Sequence, residues 1–103
     1  MEIYFSNKKL ERLYETGSSR KYRLDKSVID SFFEVIAIFE AAKDIYDLWK
    51  QPSLNFERLQ GCDNRYSARL TRKWRLEISI EWTNETMTIG IIGIEEISSH
   101  YGG

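Results

Sequence analysis

Residues 65–82 read RYSARLTRKWRLEISIEW, two alternating runs of polar and apolar side chains on either side of a short basic segment. Apolar residues at every second position are typical of β-strands with one buried face. The segment Arg72–Trp74 separates the two runs, so the sequence predicts an antiparallel hairpin with a three-residue turn. The apolar side chains of its buried face are Tyr66, Ala68 and Leu70 in the first strand and Leu76, Ile78, Ile80 and Trp82 in the second.

The register of this hairpin decides which charged residues pair. Faces must match across paired strands, and a three-residue turn satisfies that condition by placing Arg69 opposite Glu77 and Arg65 opposite Glu81. Such basic–acidic pairs stabilise a sheet by roughly 0.2–1 kcal/mol each. Arg75 has no carboxylate partner in this register. An arginine of this kind beside a basic turn is a candidate phosphate-binding residue.

A long helix is predicted in the N-terminal half. Apolar residues recur at helical spacing over Val28–Ala42, and the segment starts with Ser27 and Asp30 in the pattern of a capping box. A weaker periodicity extends the helix towards Trp49, and Pro52 stops it. A helix with such a wide apolar face is expected to pack on a sheet.

A shorter helix, Asn7–Thr16, is predicted between a capping Ser6 and a left-handed Gly17. Runs rich in β-formers predict three strands besides the hairpin, namely Glu2–Phe5, Leu54–Leu59 and Thr86–Glu95. The last of them has apolar residues on both faces, which indicates a central strand. The order β-α-α-β-β-β-β lacks a repeating βαβ rhythm. It predicts one α+β domain, residues 1–103, with two N-terminal helices on one face of a curved, mainly antiparallel sheet.

Charge is unevenly distributed along the chain. Fifteen basic and sixteen acidic residues give a formal net charge of −1, which on its own argues against nucleic-acid binding. The range Arg58–Arg75, however, holds six basic residues and one acidic residue, whereas the chain from Leu76 onwards holds five acidic residues and no Lys or Arg. A second basic cluster spans Arg20–Arg23. Local patches of charge decide where a phosphate backbone docks. On charge alone, however, the favoured interpretation is that these side chains lie on exposed strand faces and are simply solvated.

Cysteine and histidine content limits the chemistry. The single Cys62 forms no internal disulfide, and the single His100 makes a multi-histidine metal site impossible. No apolar run approaches the roughly 20 residues that span a bilayer, and the N-terminus lacks the features of a signal peptide. We therefore expect a cytoplasmic protein with no metal, no cofactor and no membrane partner.

Three short motifs and a C-terminal histidine occur in an order that is typical of one protein family. They are Leu59-Gln60-Gly61, Tyr66-Ser67-Ala68-Arg69, Trp74-Arg75-Leu76 and His100. The segment Leu10–Gly17, and Asp47-Leu48 ahead of Phe56–Leu59, fit the same order. Across nearly the whole chain the sequence resembles HigB-like toxins of the RelE/ParE superfamily.

The resemblance implies the toxin half of a bacterial toxin–antitoxin pair with a RelE-like fold. HigB-like members cut mRNA in the ribosomal A site, so the implied partners are the ribosome and mRNA, in the bacterial cytoplasm. The implied antitoxin is a small helix-turn-helix protein that neutralises the toxin and represses the operon, so the toxin contacts operator DNA only through the antitoxin. We expect an acidic antitoxin segment on the basic strand face, or an antitoxin helix along the toxin's two helices.

Residue by residue, the resemblance assigns catalytic roles to four side chains. Arg69 and Arg75 match the two family arginines that stabilise a phosphorane. His100 matches the family histidine and acts as acid or base, while Tyr101 donates a hydrogen bond or stacks on a base. The implied reaction is metal-free: the substrate 2′-OH attacks the adjacent phosphate and leaves a 2′,3′-cyclic phosphate. The implied substrate-binding residues are Arg72, Lys73, Trp74, Arg65 and Gln60.

Alternative functions stay open. Gln60 stands where the family often has Lys, and Ser98-Ser99 stand where Asp-Tyr commonly precedes the histidine. These departures favour a ParE-like toxin that blocks DNA gyrase without cutting RNA, or a weakened relic that still binds its antitoxin. The position of His100 and the Trp74-Arg75 cluster favour the nuclease. Outside the family context, a histidine near a chain end is more often solvated, and Trp74 more often caps the hairpin.

Overall fold

The computed structural model describes residues 1–18, 23–61 and 63–99. Over these residues the fold is α+β, with three α-helices and a five-stranded sheet, which confirms the predicted fold class. In chain order the elements are β1 (Ile3–Phe5), α1 (Lys8–Thr16), α2 (Lys26–Ala41), α3 (Ile45–Trp49), a 3-10 turn (Pro52–Leu54), β2 (Glu57–Arg58), β3 (Arg65–Arg69), β4 (Arg75–Trp82) and β5 (Gly90–Ser98).

The strands lie side by side in the order β1-β5-β4-β3-β2. The pairs β5–β4, β4–β3 and β3–β2 are antiparallel, as expected, while β1 runs parallel to β5 with Ile3 opposite Ile92. β5 has a neighbour on each side, which confirms the prediction of a central strand. The two edges are the short strands β1 and β2, and short edge strands offer little template for unwanted pairing.

The helices pack on the apolar face of the sheet. α1 contributes Leu10 and Leu13, and α2 contributes a stripe centred on Phe32, Ile36 and Phe39, all completely buried. Burying one such side chain stabilises a fold by about 1.5–3 kcal/mol. The sheet residues that complete the core include Tyr66, Ala68, Leu76, Ile78, Ile80, Ile92 and Ile94. The opposite face of the sheet carries the polar side chains, and we refer to it as the polar face.

The start of α1 differs from the prediction by one residue. Asn7, not Ser6, is the cap, because the Asn7 side-chain oxygen accepts hydrogen bonds from the amides two and three residues further on, at 3.0 and 3.3 Å. Ser6 still belongs to the extended segment, since its amide and its hydroxyl both donate to the Ile94 carbonyl of β5. Gly17, with φ 75°, ends α1 in the left-handed conformation, as predicted.

The predicted capping box of α2 is wrong. The helix begins at Lys26, and the preceding Asp25 makes no side-chain cap hydrogen bond. Asp30, expected to pair with Ser27, instead accepts a hydrogen bond from the Lys26 ammonium at 2.8 Å, which raises the pKa of Lys26. Within the described ranges, no helix has the length and apolar character of a membrane span.

Two segments that periodicity predicts as regular are shorter in the structure. α2 ends at Ala41, and Asp44 caps a separate α3 by accepting a hydrogen bond from a backbone amide of its first turn at 3.2 Å. The expected strand Leu54–Leu59 is reduced to Glu57–Arg58. The cause is Asn55, whose left-handed backbone (φ 41°) interrupts an extended chain.

Residues 86–89, predicted as the start of the last strand, form a loop between β4 and β5. Asn84 holds this loop, because its side-chain oxygen accepts hydrogen bonds from two loop amides at 3.0 and 3.1 Å. β5 therefore starts at Gly90, where an added Cβ would lie 2.6 Å from a β4 carbonyl oxygen, and it continues to Ser98. Only glycine fits such a close approach of two strands.

The register of the β3–β4 hairpin differs from the prediction by two residues. The facing pairs are Arg69 with Arg75, Ser67 with Glu77, and Arg65 with Ser79. The turn has five residues, and its Trp74 carbonyl accepts hydrogen bonds from the amides of Leu70 (2.9 Å) and Thr71 (3.1 Å). A shift of two residues keeps every side chain on the same face, so alternation predicts the faces but does not select between these two registers.

Candidate active site

Arg75 begins β4 on the polar face, and its guanidinium is buried and oriented by hydrogen bonds. Nε donates to the Ser67 hydroxyl at 2.9 Å, and Nη2 donates to the carbonyl oxygens of Asn55 (2.5 Å) and Ser67 (3.2 Å). Ser67 is itself completely buried. A guanidinium whose plane is fixed in this way suits the recognition of phosphate oxygens.

The prediction that Arg75 lacks a carboxylate partner is wrong. Glu57 Oε2 lies 3.8 Å from Arg75 Nη2. The two side chains meet because Glu57 of β2 faces Ser67 of β3, the residue that orients Arg75. The Glu57 side chain is 50% exposed, so it borders both the guanidinium and solvent. A carboxylate that reaches both is suited to accept a proton from a substrate.

Glu57 is the site residue that the sequence interpretation misses. Its segment, Phe56–Leu59, carries part of the family resemblance, but no role is predicted for the carboxylate. The available signal is the two-residue period of strands. Arg58 lies over the Tyr66 ring, 5.6 Å from its centroid, on the apolar side of the sheet edge. The preceding Glu57 must then lie on the polar face.

Arg69 and Ser98 extend the site across the sheet. Arg69 of β3 and Ser98 of β5 lie directly opposite Arg75 on its two sides. Arg69 is exposed and also lines a surface cavity with Ser31 and Glu34 of α2. The Ser98 hydroxyl is buried and has no hydrogen-bond partner among the described residues. Like charges at directly opposed positions destabilise a sheet, and a bound anion would offset that cost.

The predicted catalytic pair His100 and Tyr101 lies outside the described residues, as do Arg20–Tyr22 of the second basic cluster. β5 ends at Ser98, opposite Arg75, and His100 follows two residues later in the sequence. The described part of the chain therefore brings together Glu57, Arg69, Arg75 and Ser98.

Arg65 has a carboxylate partner, but not the expected Glu81. Arg65 Nη2 lies 3.6 Å from Glu77 Oε1, because the two-residue shift in register moves Glu77 next to it. Arg65 Nε is buried and has no hydrogen-bond partner within the described ranges. Arg65 and Arg75 thus each have a carboxylate within 4 Å, and Arg75 differs in that hydrogen bonds to Ser67 and Asn55 also orient its guanidinium.

The other predicted substrate-binding residues lie in turns. Arg72 and Lys73 are exposed in the hairpin turn that leads into Arg75, and Gln60 is exposed in the turn after β2. Trp74 is half-buried and packs against the hydrophobic core, as expected of a residue that caps the hairpin. The two basic turn residues extend the cationic end of the site.

The polar face is acidic away from the hairpin turn. Glu77 lies opposite Glu96 of β5, and Glu95, the extra residue of a β-bulge, accepts a hydrogen bond from the Ser79 hydroxyl at 2.7 Å. The prediction of a basic strand face therefore holds only at the end where Arg75 lies. No group of three or more His, Cys, Asp or Glu side chains in the described part of the chain is placed to hold a metal ion.

Comparisons with known proteins agree with this fold. A family model described as RelE-like toxin of type II toxin-antitoxin system HigB matches residues 3–89. A YoeB dimer from Staphylococcus aureus is structurally similar, with a TM-score of 0.57 at 18% identity over 98% of both chains. A YoeB/ParE toxin from Agrobacterium tumefaciens gives a TM-score of 0.56 at 15% identity, over 98% of this chain and 100% of the other. No curated protein sequence matches.

Proposed function

This chain belongs to the HigB-like family of RelE-like toxins of type II toxin–antitoxin systems, and we propose that it is a metal-independent endoribonuclease that cuts mRNA on the ribosome. A toxin of such a system has an antitoxin partner. We further propose that this antitoxin is a helix-turn-helix protein that alone contacts the operator DNA, and that the toxin inhibits translation in the bacterial cytoplasm.

One observation carries the proposal. The Arg75 guanidinium, oriented by Ser67 and Asn55, lies beside the Glu57 carboxylate, and Arg69 is the residue paired with Arg75 in the sheet register. Cleavage through the 2′-OH needs a proton acceptor next to cations that stabilise a phosphorane. Sheet stability alone disfavours two opposed arginines, so this arrangement supports an anionic substrate.

In the proposed reaction Glu57 takes the proton from the 2′-OH, and the 2′-oxygen attacks the adjacent phosphorus. The bond between phosphorus and the 5′-oxygen breaks, and His100 gives its proton to that leaving oxygen. The products are a 2′,3′-cyclic phosphate and a 5′-OH. Arg75 and Arg69 stabilise the additional negative charge of the phosphorane, where one donor is worth about 3 kcal/mol, or roughly a hundredfold in rate.

Substrate binding is assigned to groups around this centre. Arg72 and Lys73 contact the flanking phosphates of the RNA from the exposed hairpin turn. Gln60 contacts the RNA from the other side of β3. Tyr101 donates a hydrogen bond or stacks on a base. Trp74 packs against the core and holds the turn in place.

A ParE-like action on gyrase is the second candidate, and the acidic part of the polar face favours it. Glu77, Glu95 and Glu96 lie on the face that carries the arginines. Carboxylates at these positions repel an RNA backbone but are compatible with a protein target. This toxin would arrest growth without cutting RNA.

Induced expression, followed by mapping of mRNA 5′ ends with and without ongoing translation, separates the two functions. The nuclease predicts growth arrest with new 5′-OH ends that appear only in translated messages. The matched control is Arg75→Lys, which keeps the positive charge but loses the planar donor group. Growth arrest by the parent without any new ends contradicts the nuclease and favours the gyrase target.

A further inference from the structure

The end of the sheet away from the candidate active site carries an exposed apolar surface that the proposed reaction does not use. It consists of Tyr46 of α3 and of Met87 and Ile89 beside β5, and we call it the far-end surface. The Ile45 amide donates to the Thr88 carbonyl at 2.8 Å, which brings α3 against the β4–β5 loop. The length of β4, about 23 Å for seven residue steps, separates this surface from the catalytic arginines.

The backbone of Met87 is strained. Its φ of 53° lies in the left-handed region, which Gly and Asn adopt readily and other residues rarely. The side chain gains little burial in return, because 59% of it is exposed. Strained backbone that persists around an exposed side chain points to a use for that side chain.

The loop that carries Met87 is held rigidly by one side chain. The Asn84 amide nitrogen donates to the hydroxyls of Thr86 (3.1 Å) and Thr88 (2.7 Å), while its oxygen accepts from the amides of Thr88 and Ile89. A surface ordered in advance loses little entropy when a partner binds. The loop part of the far-end surface is therefore already ordered before a partner binds.

Acidic side chains border this surface. A cavity of about 220 Å³ opens beside Ile89, and Glu2, Lys43 and Ile91 contribute to its lining. Glu81 lies opposite Ile91 on the sheet, and Glu85 is exposed in the loop itself. Because Glu2 shares the cavity with Lys43, the carboxylates that complement a partner with apolar side chains flanked by cations are Glu81 and Glu85.

We propose that the far-end surface is the docking site of the antitoxin, through a basic amphipathic helix. Apolar side chains three and four residues apart on that helix contact Met87, Ile89 and Tyr46, and its Lys or Arg residues face Glu81 and Glu85. This site differs from both docking modes expected from the sequence. It holds the antitoxin whether or not the toxin cuts RNA.

The test measures the affinity of toxin variants for the antitoxin co-expressed from the neighbouring gene. Met87→Asn suits the left-handed backbone, so we expect its melting temperature to equal or exceed that of the parent while its affinity falls about ten- to thirtyfold. Glu85→Lys is expected to weaken binding about fivefold at low salt and less at high salt. The matched control is Glu15→Lys, the same charge change on the exposed side of α1, with affinity within about twofold of the parent.

Three results overturn the proposal. The first is Met87→Asn binding within twofold of the parent. The second is Glu15→Lys weakening the complex as much as Glu85→Lys, which assigns the antitoxin to the helices. The third is a dimer of the toxin alone that Met87→Asn dissociates, which makes the surface a contact between two copies. RNA cleavage, assayed separately, is expected to be unchanged in Met87→Asn.

Discussion

Arg75 is buried on the polar face, and its Nε and Nη2 donate to a serine hydroxyl and to two carbonyl oxygens. The Glu57 carboxylate lies further away, at 3.8 Å. Burying a charged pair often adds less stability than apolar packing of the same volume, so these contacts chiefly provide orientation. Asn55 contributes by adopting a left-handed backbone, which its short polar side chain tolerates.

Ser67→Ala tests whether the orientation of Arg75 matters for catalysis. The change removes the acceptor of the Nε hydrogen bond, a charge-assisted bond worth about 1.5–3 kcal/mol. We expect kcat to fall at least about tenfold while KM changes little, because the guanidinium is needed most in the transition state. Ser79→Ala, on the same face and hydrogen-bonded to Glu95, serves as the control in the cleavage assay. Equal kcat values for the two variants would assign Ser67 a purely structural role.

Arg69 lies opposite Arg75 in the sheet register. Replacing Arg69 is expected to change the stability and the activity of the protein in opposite directions. Arg69→Gln should raise the free energy of unfolding by roughly 0.2–1 kcal/mol, because it relieves a like-charge pair. The same variant should lose about a hundredfold in cleavage rate if Arg69 stabilises the phosphorane. Urea unfolding and cleavage kinetics measure the two effects. A less stable variant with full activity contradicts the assigned role.

At the scale of elements, strand alternation predicts which residues share a face, and local hydrogen bonds decide where each strand begins, ends and pairs. The polar face of the β3–β4 hairpin is predicted correctly, although its register is not, because the Trp74 carbonyl closes a five-residue turn. Asn84 and Asn55 delay the start of two predicted strands, Asn84 through its side-chain hydrogen bonds and Asn55 through its backbone conformation. Glu57 escapes prediction because its contact with Arg75 depends on how β2 pairs with β3, and strand alternation alone does not specify that pairing.

The packing of α2 on the sheet is tested by Phe32→Ala. Phe32 is completely buried and contacts the rings of Tyr14 and Phe33. Removing its ring should lower the free energy of unfolding by about 3–5 kcal/mol. Glu34→Ala, an exposed change on the same helix, should shift it by less than about 0.5 kcal/mol. Thermal unfolding of both variants checks the assignment, and similar melting temperatures would place Phe32 outside the core.

At the scale of the whole molecule, the two proposed functional surfaces lie at opposite ends of the sheet. Arg75 begins β4 at the proposed catalytic end, and Trp82 ends it next to the far-end surface. Strand alternation and the family resemblance predict Arg69 and Arg75 as site residues. The acidic part of the polar face, formed by Glu77, Glu95 and Glu96, is not predicted, because it depends on how β4 and β5 pair. That pairing includes a bulge at Glu95, which spacing alone does not reveal.

Glu57→Gln is the most direct test of the proposed chemistry, in purified toxin added to a translating extract. The amide keeps the shape of the side chain but cannot accept the proton of the 2′-OH. Glu81→Gln, the same change at the other end of the polar face, is the matched control. We predict that the parent and Glu81→Gln cut mRNA at rates within about twofold of each other, and that Glu57→Gln is slower by roughly 10²–10⁴-fold. Cleavage by folded Glu57→Gln at the rate of the parent would contradict the assignment of Glu57 as the base.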